Sequence, residues 1–140
     1  MRMDPYLMFD GTCEAALSLY AKCLAGRMGS VFRYAGSPMM DQVPADWADK
    51  IMHASLELPD RVLMGADSPP GTYRKPQGFT LSLQIANTDE AERAFGALAE
   101  GATVIMPLEK TFWAERFGVL VDRFGIPWQV NCEGDGVVSA

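Results

Sequence analysis

The sequence predicts an α+β chain made of two βαβββ modules, and three observations carry that prediction. Short apolar strands and one amphipathic helix follow each other in the order β-α-β-β-β over residues 4–68, and the same order returns over residues 79–133. Two helix starts, Thr12-Cys13-Glu14-Ala15 and Thr88-Asp89-Glu90-Ala91, match in residue type at an offset of 76 positions, too long an interval and too few copies for a solenoid. Between the two halves, Pro69-Pro70-Gly71 through Pro76-Gln77-Gly78 gathers residues that break both helix and strand, which places a linker at 69–78. Residues 134–140 are left as a tail.

In the first module, the apolar run 5–9 reads as a strand. Asp10-Gly11-Thr12 then offers a turn and a helix N-cap, with Glu14 in the first turn, where the helix dipole favours an anion. Ala16, Leu19, Tyr20, Cys23 and Leu24 recur at helical spacing as one buried stripe, and Gly26 supplies the stop. Residues 31–34 form the next strand. A Pro- and Met-containing loop follows at 36–49, and then residues 51–58 and 61–64 make an antiparallel pair around Pro59-Asp60.

In the second module, residues 79–86 alternate as a strand. Asn87 or Thr88 caps a helix whose stripe is Ala91, Ala94, Phe95 and Leu98, and Gly101 ends it. Residues 104–108, 111–121 and 126–132 supply three more strands.

One globular domain of ordinary core accommodates 140 residues that are 49% hydrophobic and 21% charged. The net charge of −6 repels phosphate backbones and anionic lipid surfaces, so nucleic acid is not an expected partner. No apolar run approaches the ~20 residues that cross a bilayer, and the start Met1-Arg2-Met3-Asp4-Pro5 has no secretory core, which reads as a soluble, cytoplasmic chain. Three cysteines give no disulfide framework: Cys13 and Cys23 sit on one helix, about 15 Å apart at ~1.5 Å per residue.

The segment Thr111-Phe112-Trp113-Ala114-Glu115-Arg116-Phe117-Gly118, followed by Asp122-Arg123-Phe124-Gly125-Ile126-Pro127-Trp128, resembles the TFWxxxFG…DxFGxxW signature of PhnB-like proteins. These belong to the glyoxalase/bleomycin-resistance/dioxygenase (vicinal oxygen chelate) superfamily. Lys50-Ile51-Met52-His53-Ala54, Leu63-Met64-Gly65-Ala66-Asp67 and the front pattern Tyr6-Leu7-Met8-Phe9-Asp10-Gly11 extend the likeness over residues 4–133. The resemblance implies curled mixed sheets around a shared cleft and commonly a homodimer. Such chains are often named 3-demethylubiquinone-9 3-methyltransferase-like.

Strand alternation separates the face that meets a helix from the face that does not. His53, Ser55 and Glu57 oppose Met52, Ala54, Leu56 and Leu58; Thr80, Ser82 and Gln84 oppose Phe79, Leu81, Leu83 and Ile85; Gln129 and Asn131 oppose Trp128, Val130 and Cys132. The polar series, with walls from Trp113 or Phe117, suits a small polar organic ligand bound by His53, Glu57, Ser82, Trp113, Arg116 and Gln129. Each has a plainer alternative. His53 is a base or ligand, or else a solvated imidazole; Glu57 pairs with it or faces water; Trp113, Phe117 and Trp128 are platforms or core; Arg116 clamps an anion or pairs with Asp122; the methionines form an adaptable lid or fill gaps.

The superfamily's metal site needs His or Glu in the first and last strands of each module, because three or four donors must converge on one ion. Residues 5–9 and the strand ending at Met64 carry none, the second module opens with Thr80, Ser82 and Gln84, and Gln129 stands where relatives place a Glu. Asp67 is the one visible third donor for His53 and Glu57. No glycine-rich strand-to-helix turn exists for a methyl-donor nucleotide, since Gly26 and Gly29 follow a helix. No cysteine has an activating base beside it in sequence. The expectation is a homodimeric small-molecule-binding protein without metal or cofactor; a metal-assisted lyase, isomerase or dioxygenase using His53 and Glu57, and a sequestering resistance-type protein, are the alternatives.

Overall fold

The computed structural model describes residues 1–134, so of the expected tail only Gly134 can be placed and residues 135–140 lie outside the described residues. The chain divides into two compact units, residues 1–75 and from Pro76 onward, a division inside the Pro- and Gly-rich stretch 69–78. Each unit is a four-stranded mixed sheet with one helix.

In the first unit the chain order is β1 (Tyr6–Phe9), α1 (Cys13–Cys23), β2 (Arg27–Arg33), β3 (Ile51–Glu57) and β4 (Val62–Asp67). The sheet runs β1-β4-β3-β2, with β1 parallel to β4 and the other pairs antiparallel. Leu7 and Phe9 alternate inward along β1 and meet Ala16, Leu17 and Tyr20 of α1 in a core completed by Ala54, Leu56 and Leu63. The helical stripe is displaced from the expected one: Leu17 is fully buried, whereas Leu19 and Leu24 are only half-buried.

The Thr12 side chain makes no capping bond. Instead the buried Asp67 carboxylate, at the end of β4, accepts from the Cys13 N–H at 2.9 Å through Oδ1 and from the Ile51 N–H at 2.8 Å through Oδ2. A distant carboxylate thus replaces the local cap, and it ties three elements together. Strand β2 begins at Arg27, four residues before the expected start, and breaks its register between Met28 and Val31. A second irregularity leaves Met52 as an extra residue on β3, since Phe32 faces His53 and Arg33 faces Ile51. This is why Ile51 is buried although His53, two residues on, is not. The loop 36–49 contains two short 3-10 turns, Met40–Gln42 and Ala45–Trp47.

The second unit repeats the order as β5 (Leu81–Gln84), α2 (Thr88–Ala99), β6 (Thr103–Glu109), β7 (Arg116–Val121) and β8 (Pro127–Cys132), with sheet order β5-β8-β7-β6 and β5 parallel to β8. Asn87 is the N-cap, its side chain accepting from the Glu90 N–H at 2.8 Å. Ala91, Ala94, Phe95 and Leu98 are buried as their spacing predicts, against Leu120, Trp128, Val130 and Cys132. Two strands are shorter than expected. Residues 79 and 80 precede β5, and 111–114 form a tight turn rather than the start of β7: the Thr111 N–H donates to the Ala114 carbonyl at 3.0 Å while Thr111 Oγ1 accepts from Ala114 N–H at 3.1 Å. A threonine that can satisfy its own turn offers the backbone an alternative to the ladder. No helix among the described residues is long and apolar enough to cross a membrane.

Candidate functional site

In each unit one sheet face carries the helix and the other is open. On the first sheet, β3 turns His53, Ser55 and Glu57 to the open face, because Ala54 and Leu56 are held under α1. The hydroxyl of Tyr6 and His53 Nδ1 are hydrogen-bonded at 2.9 Å. Their rings stack at 5.5 Å between centroids, and Phe32 stacks on the other neighbour strand's side of the imidazole at 6.3 Å. Burial pushes the Tyr6 phenol above the ordinary range, so it stays protonated at neutral pH. Ser55 Oγ accepts from the Ser30 N–H at 3.0 Å, and Glu57 accepts from Arg27 Nη2 at 2.6 Å. His53 and Glu57 therefore share a face without sharing a bond.

On the second sheet, parallel pairing places Ser82 beside Gln129 and Gln84 beside Asn131. Four uncharged side chains form a connected ladder. Gln84 Nε2 and Gln129 Nε2 both donate to Ser82 Oγ, at 2.8 and 2.9 Å, and Asn131 Nδ2 donates to Gln84 Oε1 at 2.9 Å. Because Ser82 Oγ already accepts twice, its own hydrogen is left to donate outward. At the other end, the buried Asn131 Oδ1 has no hydrogen-bond partner. Beside the ladder, Phe117 on β7 is the register partner of Asn131 on β8, Trp113 packs edge-on against Phe117 at 5.2 Å, and Phe112 packs on Trp113 at 4.7 Å. Phe112 is 96% exposed.

Arg116 takes a different side. It lies opposite buried Cys132 and donates through Nε to Glu92 Oε1 of α2 at 3.1 Å, on the helix-covered face. Asp122 is at the other end of β7, where its carboxylate accepts from Trp128 Nε1. Each has its own partner.

The donor set does not fit a metal. Among the described residues no three His, Cys, Asp or Glu side chains converge. Asp67, the third donor expected for His53 and Glu57, is buried beneath α1 with both oxygens taken by backbone N–H groups. Cys13 is buried too, and burial with the Asp67 charge nearby pushes its thiol up to about 12.

Tyr6 and Phe32 escaped the sequence reading. The signal for Tyr6 was present, since Tyr6 and Met8 alternate with buried Leu7 and Phe9. Phe32 had none, because the irregularities in β2 disrupt its phase.

Over residues 1–131 the chain matches the family model described as 3-demethylubiquinone-9 3-methyltransferase. It is 46% identical to protein PA1353 from Pseudomonas aeruginosa, with a TM-score of 0.87 over 96% of this chain and 99% of that one. Protein YjdN of Escherichia coli (strain K12) is 30% identical over 139 residues, 94% of this chain and 95% of YjdN. A glyoxylase/bleomycin resistance protein/dioxygenase domain from Frankia sp. EAN1pec, 14% identical over 95% of this chain and 97% of that one, shares the fold at a TM-score of 0.63.

Proposed function

The chain belongs to the family described as 3-demethylubiquinone-9 3-methyltransferase and shares its fold with a glyoxylase/bleomycin resistance protein/dioxygenase domain, and from that premise we propose that it binds a small polar organic molecule without a metal. The observation that carries this reading is the uncharged ladder Ser82-Gln84-Gln129-Asn131 on the open face of the second sheet. It offers the outward hydroxyl hydrogen of Ser82, next to the aromatic surface of Phe117 and Trp113. Neutral recognition of this kind favours amide, hydroxyl or carbonyl groups over phosphates.

The activity in the family's description does not come with the residues. The turns from β1 to α1 and from β5 to α2 read Asp10-Gly11-Thr12 and Ile85-Ala86-Asn87, and neither has the glycines that let a backbone approach a methyl-donor nucleotide. Mass spectrometry of small molecules released from the natively purified protein tests the proposal. One compound is expected to co-purify with the wild type and to be depleted about tenfold with Gln129→Leu, which removes the ladder's end member and one of the two bonds that orient Ser82. Equal recovery from both proteins would remove this site, and recovery of a methyl donor would restore the methyltransferase.

A further inference from the structure

We propose that Asp10-Gly11, in the turn between β1 and α1, is a site of spontaneous isoaspartate formation, a modification that lengthens the main chain where the helix of the first unit is attached. It does not depend on the ligand proposed for the second unit.

The chemistry needs a carboxyl group and the next residue's amide nitrogen to be free to meet. Gly11 N displaces the hydroxyl on Asp10 Cγ: a carbon–nitrogen bond forms, a carbon–oxygen bond breaks, and water leaves with that hydroxyl and the amide proton. Water then adds to the Asp10 α-carbonyl carbon of the five-membered imide. The bond from that carbon to nitrogen breaks, and the nitrogen takes back a proton. The product has the original mass, but its chain runs through Asp10 Cβ and Cγ and is one atom longer.

The required freedom is present at this dipeptide. The Asp10 side chain is exposed and has no hydrogen-bond or ion-pair partner among the described residues. The Gly11 N–H likewise donates to none of them. Gly11 has no side chain to hinder the attack, and its φ of 84° is a left-handed conformation that favours glycine. Both flanks are held: the Phe9 carbonyl accepts from the Ser68 N–H at 2.8 Å, and the Gly11 carbonyl accepts from Lys50 Nζ at 2.9 Å. The reacting pair itself is unsupported.

Asp67-Ser68 supplies the contrast, because it too is an aspartate followed by a small residue. There both carboxylate oxygens accept backbone N–H groups, and the Ser68 N–H is taken by Phe9. Bonding, not residue type alone, separates the two sites. The location also gives the modification a consequence. Two residues past Gly11, the Cys13 N–H is fixed by Asp67, so the added atom falls between the end of β1 at Phe9 and an anchored helix start.

The intact protein is aged in mildly acidic buffer and digested with trypsin, and the isomeric peptides are separated by chromatography and identified by electron-transfer fragmentation. Asp10 and Asp67 fall on separate peptides, 3–22 and 62–74; the other Asp-Gly pair, Asp135-Gly136, lies outside the described residues and falls on a third, 124–140. Isoaspartate is expected at Asp10 in the folded protein within about fivefold of the rate in a synthetic peptide of residues 3–22, since a backbone N–H without a hydrogen bond needs no local opening. Asp67 should remain unconverted. Asp10→Asn should reach the same aspartate and isoaspartate products faster, losing ammonia in place of water, and Asp10→Glu, whose imide would be six-membered, should suppress them. A slower rate at Asp10 than that range, equal conversion at Asp10 and Asp67, or no acceleration with Asp10→Asn would overturn the proposal.

Discussion

The indole Nε1 of Trp128 donates to Asp122 Oδ2 at 2.9 Å, and both residues are buried. The other oxygen of the same carboxylate accepts from the N–H groups of Phe124 and Ile126, at 2.8 and 3.0 Å. One side chain therefore shapes the turn between β7 and β8 and pins the largest buried side chain of the second unit. Asp122→Ala leaves three donors unmet and should lower unfolding stability by about 3 kcal/mol in urea titrations, with Trp128→Phe losing less.

Gly118 on β7 and Gly96 on α2 should respond to alanine in opposite directions. A Cβ at Gly118 would lie 2.6 Å from the Phe95 ring and 3.0 Å from Leu108 Cα, whereas one at Gly96 meets nothing within 4 Å. Thermal or urea unfolding should show Gly118→Ala losing about 2 kcal/mol through overpacking and Gly96→Ala gaining about 0.5–1 kcal/mol through helix propensity.

Cys13 should resist alkylation by iodoacetamide in the native protein at neutral pH and react once the chain is unfolded, as read by mass spectrometry. Its thiol is pushed up to about 12 by burial, and burial also raises the Tyr6 and Tyr34 phenols. The folded state then holds protons that the unfolded chain releases, so stability is full below the ordinary thiol range and falls as pH climbs from there toward about 12. At the acid end the sign reverses. A hydrogen bond from Arg33 holds Glu14 below the usual carboxylate range, so its contribution is present at neutral pH and is lost as pH falls through that range.

Sedimentation equilibrium at micromolar concentration should give twice the chain mass. The outer strands β2 and β6 carry exposed Phe32 and Ile105, and Ile105 is 59% exposed, which a lone chain would normally guard. A single monomeric species would contradict this.

Elemental analysis after dialysis against a weak chelator should find far less than one equivalent of zinc, nickel or manganese per chain. A full equivalent, lost in His53→Ala, would establish the metal-assisted alternative.

The repeat order was legible because each half alternates its periods cleanly: Ala91, Ala94, Phe95 and Leu98 can only be one helix face, and Trp128, Val130 and Cys132 one strand face. Asp67 was not legible as a cap, because its partners Cys13 and Ile51 are 54 and 16 residues away and no local pattern encodes such a bond. Thr12 had the right residue type and lost the role to tertiary structure. The ladder was foreseeable as a face but not as a network, since the pairing of Ser82 with Gln129 depends on a parallel register that alternation leaves open. Arg116 shows the converse: its type suggested a ligand clamp, and its phase on β7 sends it to Glu92.

The buried carboxylate of Asp67 has an evolutionary corollary. It fastens helix to sheet on the side away from Tyr6, His53 and Phe32, and in the second half Asp122 likewise grips Trp128 on the side away from Ser82 and Gln129. Anchorage and display are thus assigned to opposite surfaces of each sheet. Residues on the displayed surface can drift or be selected for new chemistry without loosening the scaffold, and a duplicated unit starts with two such surfaces that are free to diverge.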